Sequence, residues 1–173
     1  MSLIRTDAIQ TVSGKPILNS TGSILQVLQT PKTDTFSTSS TSFTDITGLS
    51  VNITPSSTSS KILVFMDCKV ASATNVTAFV RMMRDSTPIY IGDAAGSRQR
   101  ATMSNSDDPS SQFIFQMSGM YLDSPSTTSQ VSYKFYFGAG DGATTVYVNR
   151  TQNDTDASYT HRTRTHVTLV EFE

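Results

Sequence analysis

From Ile46 to Phe172 the chain keeps returning to one pattern: short runs in which apolar and polar side chains alternate, each closed off by Gly, Pro, Ser, Thr or Asp. A period of two places every second side chain on one face of an extended strand, whereas a helix needs apolar residues three and four apart. ITGLSVNIT (46–54) sets Leu49, Val51 and Ile53 between polar neighbours, and VTAFVRMMR (76–84) sets Phe79, Arg81 and Met83 against Ala78, Val80 and Met82. QFIFQMSGMYLD (112–123), QVSYKFYFGAG (130–140), ATTVYVNRT (143–151) and RTRTHVTLVEFE (162–173) repeat it, and no stretch has a helical period. About eight strands divided by turn residues define an all-β, antiparallel two-sheet β-sandwich, with a jelly roll as the expected winding.

KILVFMDCKV (61–70) is apolar on both faces for five residues, which marks it as a central strand. Asp85-Ser86-Thr87-Pro88 turns the chain from 76–84 into PIYIG (88–92), a predicted hairpin. The segments at 112–123 and 130–140 flank SPSTT and are expected to pair with each other. Residues 93–111 have almost nothing to bury and read as a long surface excursion, with a short strand near Arg100 to Met103.

Composition agrees with a sheet protein. Ser and Thr fill about 30% of the chain, and Thr suits a half-exposed pleat, while charged residues are only 16%. The net charge of -1, spread evenly, offers no basic patch for nucleic acid. The longest apolar stretch, ILVFM (62–66), is too short to span a bilayer, and the N-terminus has no basic start or long apolar centre, so neither membrane insertion nor export is expected. The single Cys68 excludes an intrachain disulfide and sits in an apolar run, where a thiol is buried and inert.

Residues 1–30 read differently. Ile4, Ile9, Ile17 and Leu18 stand around a Ser13-Gly14-Lys15-Pro16 turn, followed by ILQVLQ (24–29). Too few apolar residues lie together there for an independent core, so the segment is expected to be an N-terminal arm, with the sandwich occupying 31–173. The opening TDAIQTVSGKPILNSTGS (6–23), the stretch TDTFSTSSTSFTDITGLSVNITPSSTSSKILV (33–64), the block FVRMMRDSTPIYIGD (79–93), MYLDSPSTTSQVSYKF (120–135) and the ending VTLVEFE (167–173) resemble small fibre-like appendage proteins of marine tailed bacteriophages, cyanophages among them. The likeness covers nearly the whole chain. It implies a jelly-roll module similar to the trimeric heads of C1q and tumour necrosis factor, a homotrimer, and a place on the virion surface after synthesis in the host cytoplasm. It also implies that the arm, through Ile4, Ile9, Ile17 and Leu18, binds other virion proteins. Independently of that likeness, the strands at 76–84 and 112–137 carry more aromatic and Met side chains than one thin core needs, and an intersubunit face would absorb the surplus.

No residue set announces catalysis, a cofactor or a metal. The only histidines, His161 and His166, are five apart in the final strand region, where alternation sends them to opposite faces. Asp107, Asp108, Asp141, Asp154 and Asp156 form no calcium loop and read as turn acids. The Asn-x-Ser/Thr triplets at Asn19, Asn52, Asn75, Asn149 and Asn153 arise by chance at this Ser/Thr content. Arg81, Arg84, Arg98 and Arg100 are expected to be salt-bridged to Asp85 or Asp93, with an oxyanion as the other use of such guanidinium forks. If the protein reads a host surface glycan, the exposed loops at 93–111 and 151–160 are the place, through Arg98, Arg100, Asn105, Asp107, Asn153 and Tyr159, the last as a stacking platform. The expected function is a non-enzymatic trimeric virion appendage, a tail-fibre or receptor-binding component. Capsid decoration or head fibre is the alternative, and a glycan-cleaving tail enzyme a third that lacks an acid pair.

Overall fold

The computed structural model describes residues 23–73, 76–105 and 110–172. Among them, eleven strands follow in order: β1 (Ile24–Lys32), β2 (Phe36–Thr38), β3 (Thr44–Ile53), β4 (Lys61–Ala71), β5 (Ala78–Arg84), β6 (Thr87–Ile89), β7 (Met103–Asn105), β8 (Phe115–Asp123), β9 (Val131–Ala139), β10 (Val146–Val148) and β11 (Thr165–Phe172). All pairings are antiparallel. Sheet one runs β1-β11-β4-β8, with β10 taking over from β11 along the end of β4 and β2 beyond it. Sheet two runs β3-β9-β5, and β6 and β7 both lie on the free side of β5, two halves of one edge position interrupted by residues 90–102. The long strands β3, β4, β5, β8, β9 and β11 alternate between the two sheets in chain order, which is the jelly-roll winding of a β-sandwich.

KILVFMDCKV is the central strand it was predicted to be, paired to β11 and β10 on one side and to β8 along nine residues on the other. The Asp85-Ser86 turn joins β5 to β6 as the expected hairpin, with Asp85 in the left-handed region (φ 53°). The predicted pairing of 112–123 with 130–140 is wrong. β8 pairs β4 in sheet one, and β9 pairs β3 and β5 in sheet two. Both strands have one strongly apolar face, and the seven-residue link 124–130 carries the chain across the sandwich, so those faces meet through the core and not edge to edge. ILQVLQ, assigned above to the arm, begins β1, an edge strand of sheet one in register with β11 over residues 26–32. The rest of the arm, including Ile4, Ile9, Ile17 and Leu18, lies outside the described residues.

The core is one layer between the sheets. From sheet one come Ile62, Val64, Met66, Cys68, Val70, Val167 and Leu169; from sheet two Ile46, Leu49, Ile53, Val80, Met82, Tyr133, Phe135 and Phe137. Each large side chain so removed from water contributes about 1.5–3 kcal/mol. Two polar ties close one pole of the sandwich. Arg84 Nη1 donates to both carboxylate oxygens of Asp123 (2.9 and 2.8 Å), and the buried Tyr133 hydroxyl donates to Asp123 Oδ2 (2.6 Å), joining β8 of sheet one to β5 and β9 of sheet two. Burial, and then the bond to Asp123, push the Tyr133 phenol well above its ordinary range. Glu171, also buried, accepts from the Ser56 amide (2.6 Å) and from Gln26 Nε2, holding the 54–60 link and β1 to β11. At the other pole Asn149, buried and left-handed (φ 64°), donates to the carbonyls of Lys32 and Asp34 and accepts from the Thr165 hydroxyl.

Candidate functional site

The outward side chains of sheet one form rows set by strand register. Val27, Val170, Leu63 and Leu122 stand opposite one another across β1, β11, β4 and β8. The next row is Gln29, Thr168, Phe65 and Met120, and the one after it Pro31, His166, Asp67 and Ser118. The face is therefore graded, from an apolar end bounded by the row Ile24, Phe172 and Lys61 to a polar end. Val27 is 58% exposed, Met120 56% and Leu122 53%, and Leu63, Val170 and Phe172 are half-buried beside them. An apolar surface of this kind on a folded chain is a candidate interaction site. Beneath it the polar row is balanced: Lys69 pairs with Asp67 through Oδ1, and His166 Nδ1 lies 3.8 Å from Asp67 Oδ2.

The outward face of sheet two carries apolar residues as well, but the chain covers them itself. Phe79 packs against the Phe43 ring (centroids 5.7 Å apart) and over Gly138, where an added Cβ would stand 3.3 Å from the Phe79 ring. Arg81 also packs on Phe43, its guanidinium carbon 3.6 Å from the ring centroid, and donates through Nε and Nη2 to the Arg100 carbonyl (2.9 and 2.6 Å). Gln99 reaches the Thr41 carbonyl (3.4 Å). Residues 39–43 and the 90–102 excursion thus form a lid over this sheet.

These contacts settle the arginine cluster. Arg84 is bridged to Asp123, and Arg81 to a carbonyl and a ring, so the expected pairings with Asp85 or Asp93 are not the ones made; Asp85 Oδ1 accepts instead from the Ser132 amide (2.9 Å). Sequence spacing could not find Asp123, which comes from the opposite sheet. Arg98 and Arg100 are exposed beside a cavity of about 340 Å³ lined also by Gly92, Asp93, Thr102 and Met103. Arg100 Nε donates to the Gly92 carbonyl (2.7 Å) and Arg98 Nη1 to Ala95 (3.3 Å), so both forks are partly held by their own loop. The excursion leaves β6 through Tyr90, left-handed at φ 51°, whose ring stacks on Tyr121 of β8 (5.0 Å, 17°). Asn105 is the last residue of β7, its Oδ1 accepting from the Ala78 amide (3.2 Å). Asp107 lies outside the described residues.

The second predicted loop is longer than expected and built differently. It leaves β10 at Asn149 and returns at Thr165, with a neck closed by an antiparallel bridge between Arg150 and Arg162 and by the Thr151 amide donating to the His161 carbonyl (3.3 Å). Inside, Thr160 Oγ1 lies 2.7 Å from the Thr155 carbonyl and 2.9 Å from that of Ala157, and Asn153 Oδ1 accepts from the Thr155 amide (3.3 Å). Asp154 is an ion-pair partner of both Arg150 (3.2 Å) and Arg162 (2.6 Å). A cavity of about 320 Å³ opens on this loop, lined by Asp154, Thr155, Asp156, Ala157, Thr160, His161 and Arg162. Tyr159 is half exposed between them in sequence. Of the predicted contacts, Tyr159 is presented and Asn153 is used to shape the loop; Arg98 and Arg100 border a separate cavity. His161 belongs to this loop and His166 to the outer face of sheet one.

Cys68 is fully buried in the core, and desolvation pushes its thiol up to about 12, against a hydrogen bond to Thr165 that pulls the other way. It is not a nucleophile at neutral pH. No family model matches the chain, and no curated protein does.

Proposed function

We propose that this chain is a non-enzymatic structural protein of a bacteriophage virion, a homotrimeric surface appendage of the tail-fibre or receptor-binding kind. The observation that carries the self-associating part is the bare apolar end of sheet one, the rows through Val27, Val170, Leu63, Leu122, Phe65 and Met120. A second copy is the occupant that fits. Of the charged groups bordering that surface, Asp67, Lys69 and His166 are paired among themselves, and Lys61, opposite Phe172 at its edge, is turned to the Ser124 hydroxyl (2.8 Å), so the centre of the face is free of charge when two copies meet. The turn-rich sandwich gives such an assembly its head, and the N-terminal arm is assigned the attachment to other virion proteins on the sequence resemblance alone. The virion assignment rests on the sequence resemblance to marine phage appendage proteins.

Sedimentation equilibrium of the full chain at micromolar concentration is expected to return a mass three times 18.8 kDa; a monomer overturns the trimer. Localisation by labelled antibody on whole particles is expected to place a few trimers at the tail. Tens to hundreds of copies over the shell would make it a capsid decoration protein, and absence from purified particles would overturn the virion reading.

A further inference from the structure

We infer that the loop from Asn149 to Thr165 is a preformed binding site for a neutral, hydroxyl-rich ligand, a saccharide with a vicinal diol. The inference rests on the reading of the sandwich as a surface-exposed recognition head, and it assigns the site and the ligand class.

The first support is the loop's construction. It has no regular secondary structure between Arg150 and Arg162, yet its neck is bridged and its interior is stitched by Thr151, Asn153 and Thr160. Its first residue, Asn149, is a buried non-glycine in the left-handed region, held there by bonds to Lys32, Asp34 and Thr165. An exposed loop whose shape is fixed before binding loses little entropy when a ligand arrives.

The second support is the chemistry of the cavity. Only Ala157 among its seven lining residues is apolar, which excludes a lipid or an aliphatic ligand. Two carboxylates, Asp154 and Asp156, share it with Arg162 and His161, so neither a polyanion nor a simple cation meets a surface of the opposite sign. Arg150 and Arg162 both make their closest approach to the same oxygen of Asp154, Oδ2, and Arg162 remains 60% exposed in its side chain. A carboxylate beside a partly open guanidinium presents an acceptor next to donors. That is the arrangement that two adjacent hydroxyls satisfy, one donating and the other accepting. Tyr159, on the same loop between the lining residues Ala157 and Thr160, offers a half-exposed ring on which the C–H face of a sugar can lie. The cavity at Arg98 and Arg100 differs in kind: its two cations have no carboxylate salt bridge among the described residues, and it suits an anion better.

The test is binding of the full chain to immobilised neutral hexose oligosaccharides, with sialylated and sulfated oligosaccharides alongside. The expected result is retention on at least one neutral oligosaccharide, weakened about tenfold or more by Tyr159→Ala and by Arg162→Gln, and unchanged by Arg98→Ala. Asp156→Asn is expected to weaken it as well, and thermal melts of all four variants establish that each is folded. Retention on no neutral probe overturns the proposal, as does binding confined to sulfated probes and lost in Arg98→Ala, or neutral binding that survives both loop substitutions. Oligomeric state is measured on the same samples. A trimer that binds nothing sinks this site and leaves the appendage reading standing, while a monomer that binds sinks the trimer alone.

Discussion

The two outer faces of the sandwich are made of similar residues and end differently. Sheet two sends Phe79, Arg81 and Met83 outward from β5, and all three are withdrawn from full exposure; Phe79 finishes 8% exposed because residues 39–43, fastened to the 90–102 excursion, fold back over it. Sheet one sends Leu63, Phe65, Met120, Leu122 and Val170 outward, and no segment of the described chain covers them. A face that needs covering and has a lid belongs to the monomer's own stability. One that needs covering and lacks it is the face on which the proposed self-association rests.

The strongest way to break that comparison is to change one residue on each face. Leu122→Asp puts a carboxylate among Leu63, Val170 and Met120 at a position 53% exposed in the single chain. Its expected effect on folding is small, within about 0.5 kcal/mol, as for other exposed positions. Its expected effect on self-association is a loss of about 100-fold or more, because a buried unpaired carboxylate must be desolvated in every copy. The matching change on the covered face, Phe79→Ala, is expected to do the reverse: about 3 kcal/mol off the unfolding free energy by denaturant titration, with the association constant unchanged in the folded protein. Should Leu122→Asp unfold the chain and leave association intact, the two faces would have to be exchanged in the argument.

Much of this was legible in the residues and some was not. Alternation placed the long strands and picked out β4 as central, since β4 shows apolar side chains to both sides. The same signal held the proposed interface: Val64 and Met66 face the core while Leu63 and Phe65 face outward, and β11 likewise divides Val167 and Leu169 from Val170 and Phe172. What periodicity cannot tell is whether the second apolar face is covered by the chain or left bare. β5 and β4 look alike in sequence, and only the path of the 90–102 excursion separates them. Pairing was equally hidden, because β8 and β9 are neighbours in sequence yet lie in opposite sheets. Of the proposed recognition residues, Tyr159 could be seen as an aromatic in a polar loop; the use of Asn149 and Asn153 as loop-shaping residues depends on a backbone conformation that composition does not encode.

A smaller effect tests how the lid of sheet two is fastened. Arg81 is the only described residue that joins Phe43, β5 and the excursion at once, through its ring contact and its two bonds to the Arg100 carbonyl. Desolvation, and then the nearby Arg100 charge, lower its guanidinium pKa from the ordinary value, so the site bears some strain that these contacts offset. Arg81→Ala is expected to cost about 1–2 kcal/mol of stability and to raise amide exchange at Thr102 and Met103, with no change at β1 or β8. Rescue by Arg81→Lys should be partial, since an ammonium keeps the charge over Phe43 but cannot span the carbonyl with two donors.

The smallest predicted effect belongs to the bare face and depends on pH. Glu171 holds the apolar edge of that face in place, because it ties Gln26 of β1 and the Ser56 amide to β11, one residue from Val170. Burial alone would raise its pKa, but the hydrogen bonds from Gln26, from the Ser56 amide, from Ser60 and from the Ser56 hydroxyl outweigh that, and the carboxyl sits below its ordinary value. A carboxyl whose pKa is depressed by folding adds stability that is fully present above the unfolded-state pKa and is lost as pH falls through the folded-state value. As pH falls below the ordinary carboxylate value and on through the lower folded-state one, β1 is therefore expected to loosen first. Hydrogen exchange should show it at Val27 and Leu28, while Phe79 under its lid stays protected. Glu171→Gln is expected to cost about 1 kcal/mol at pH 7 and to remove this part of the acid dependence. Equal loosening of both faces in acid would mean that Glu171 is not what holds the edge, and that the two sheets differ in their cover but not in how they are fastened.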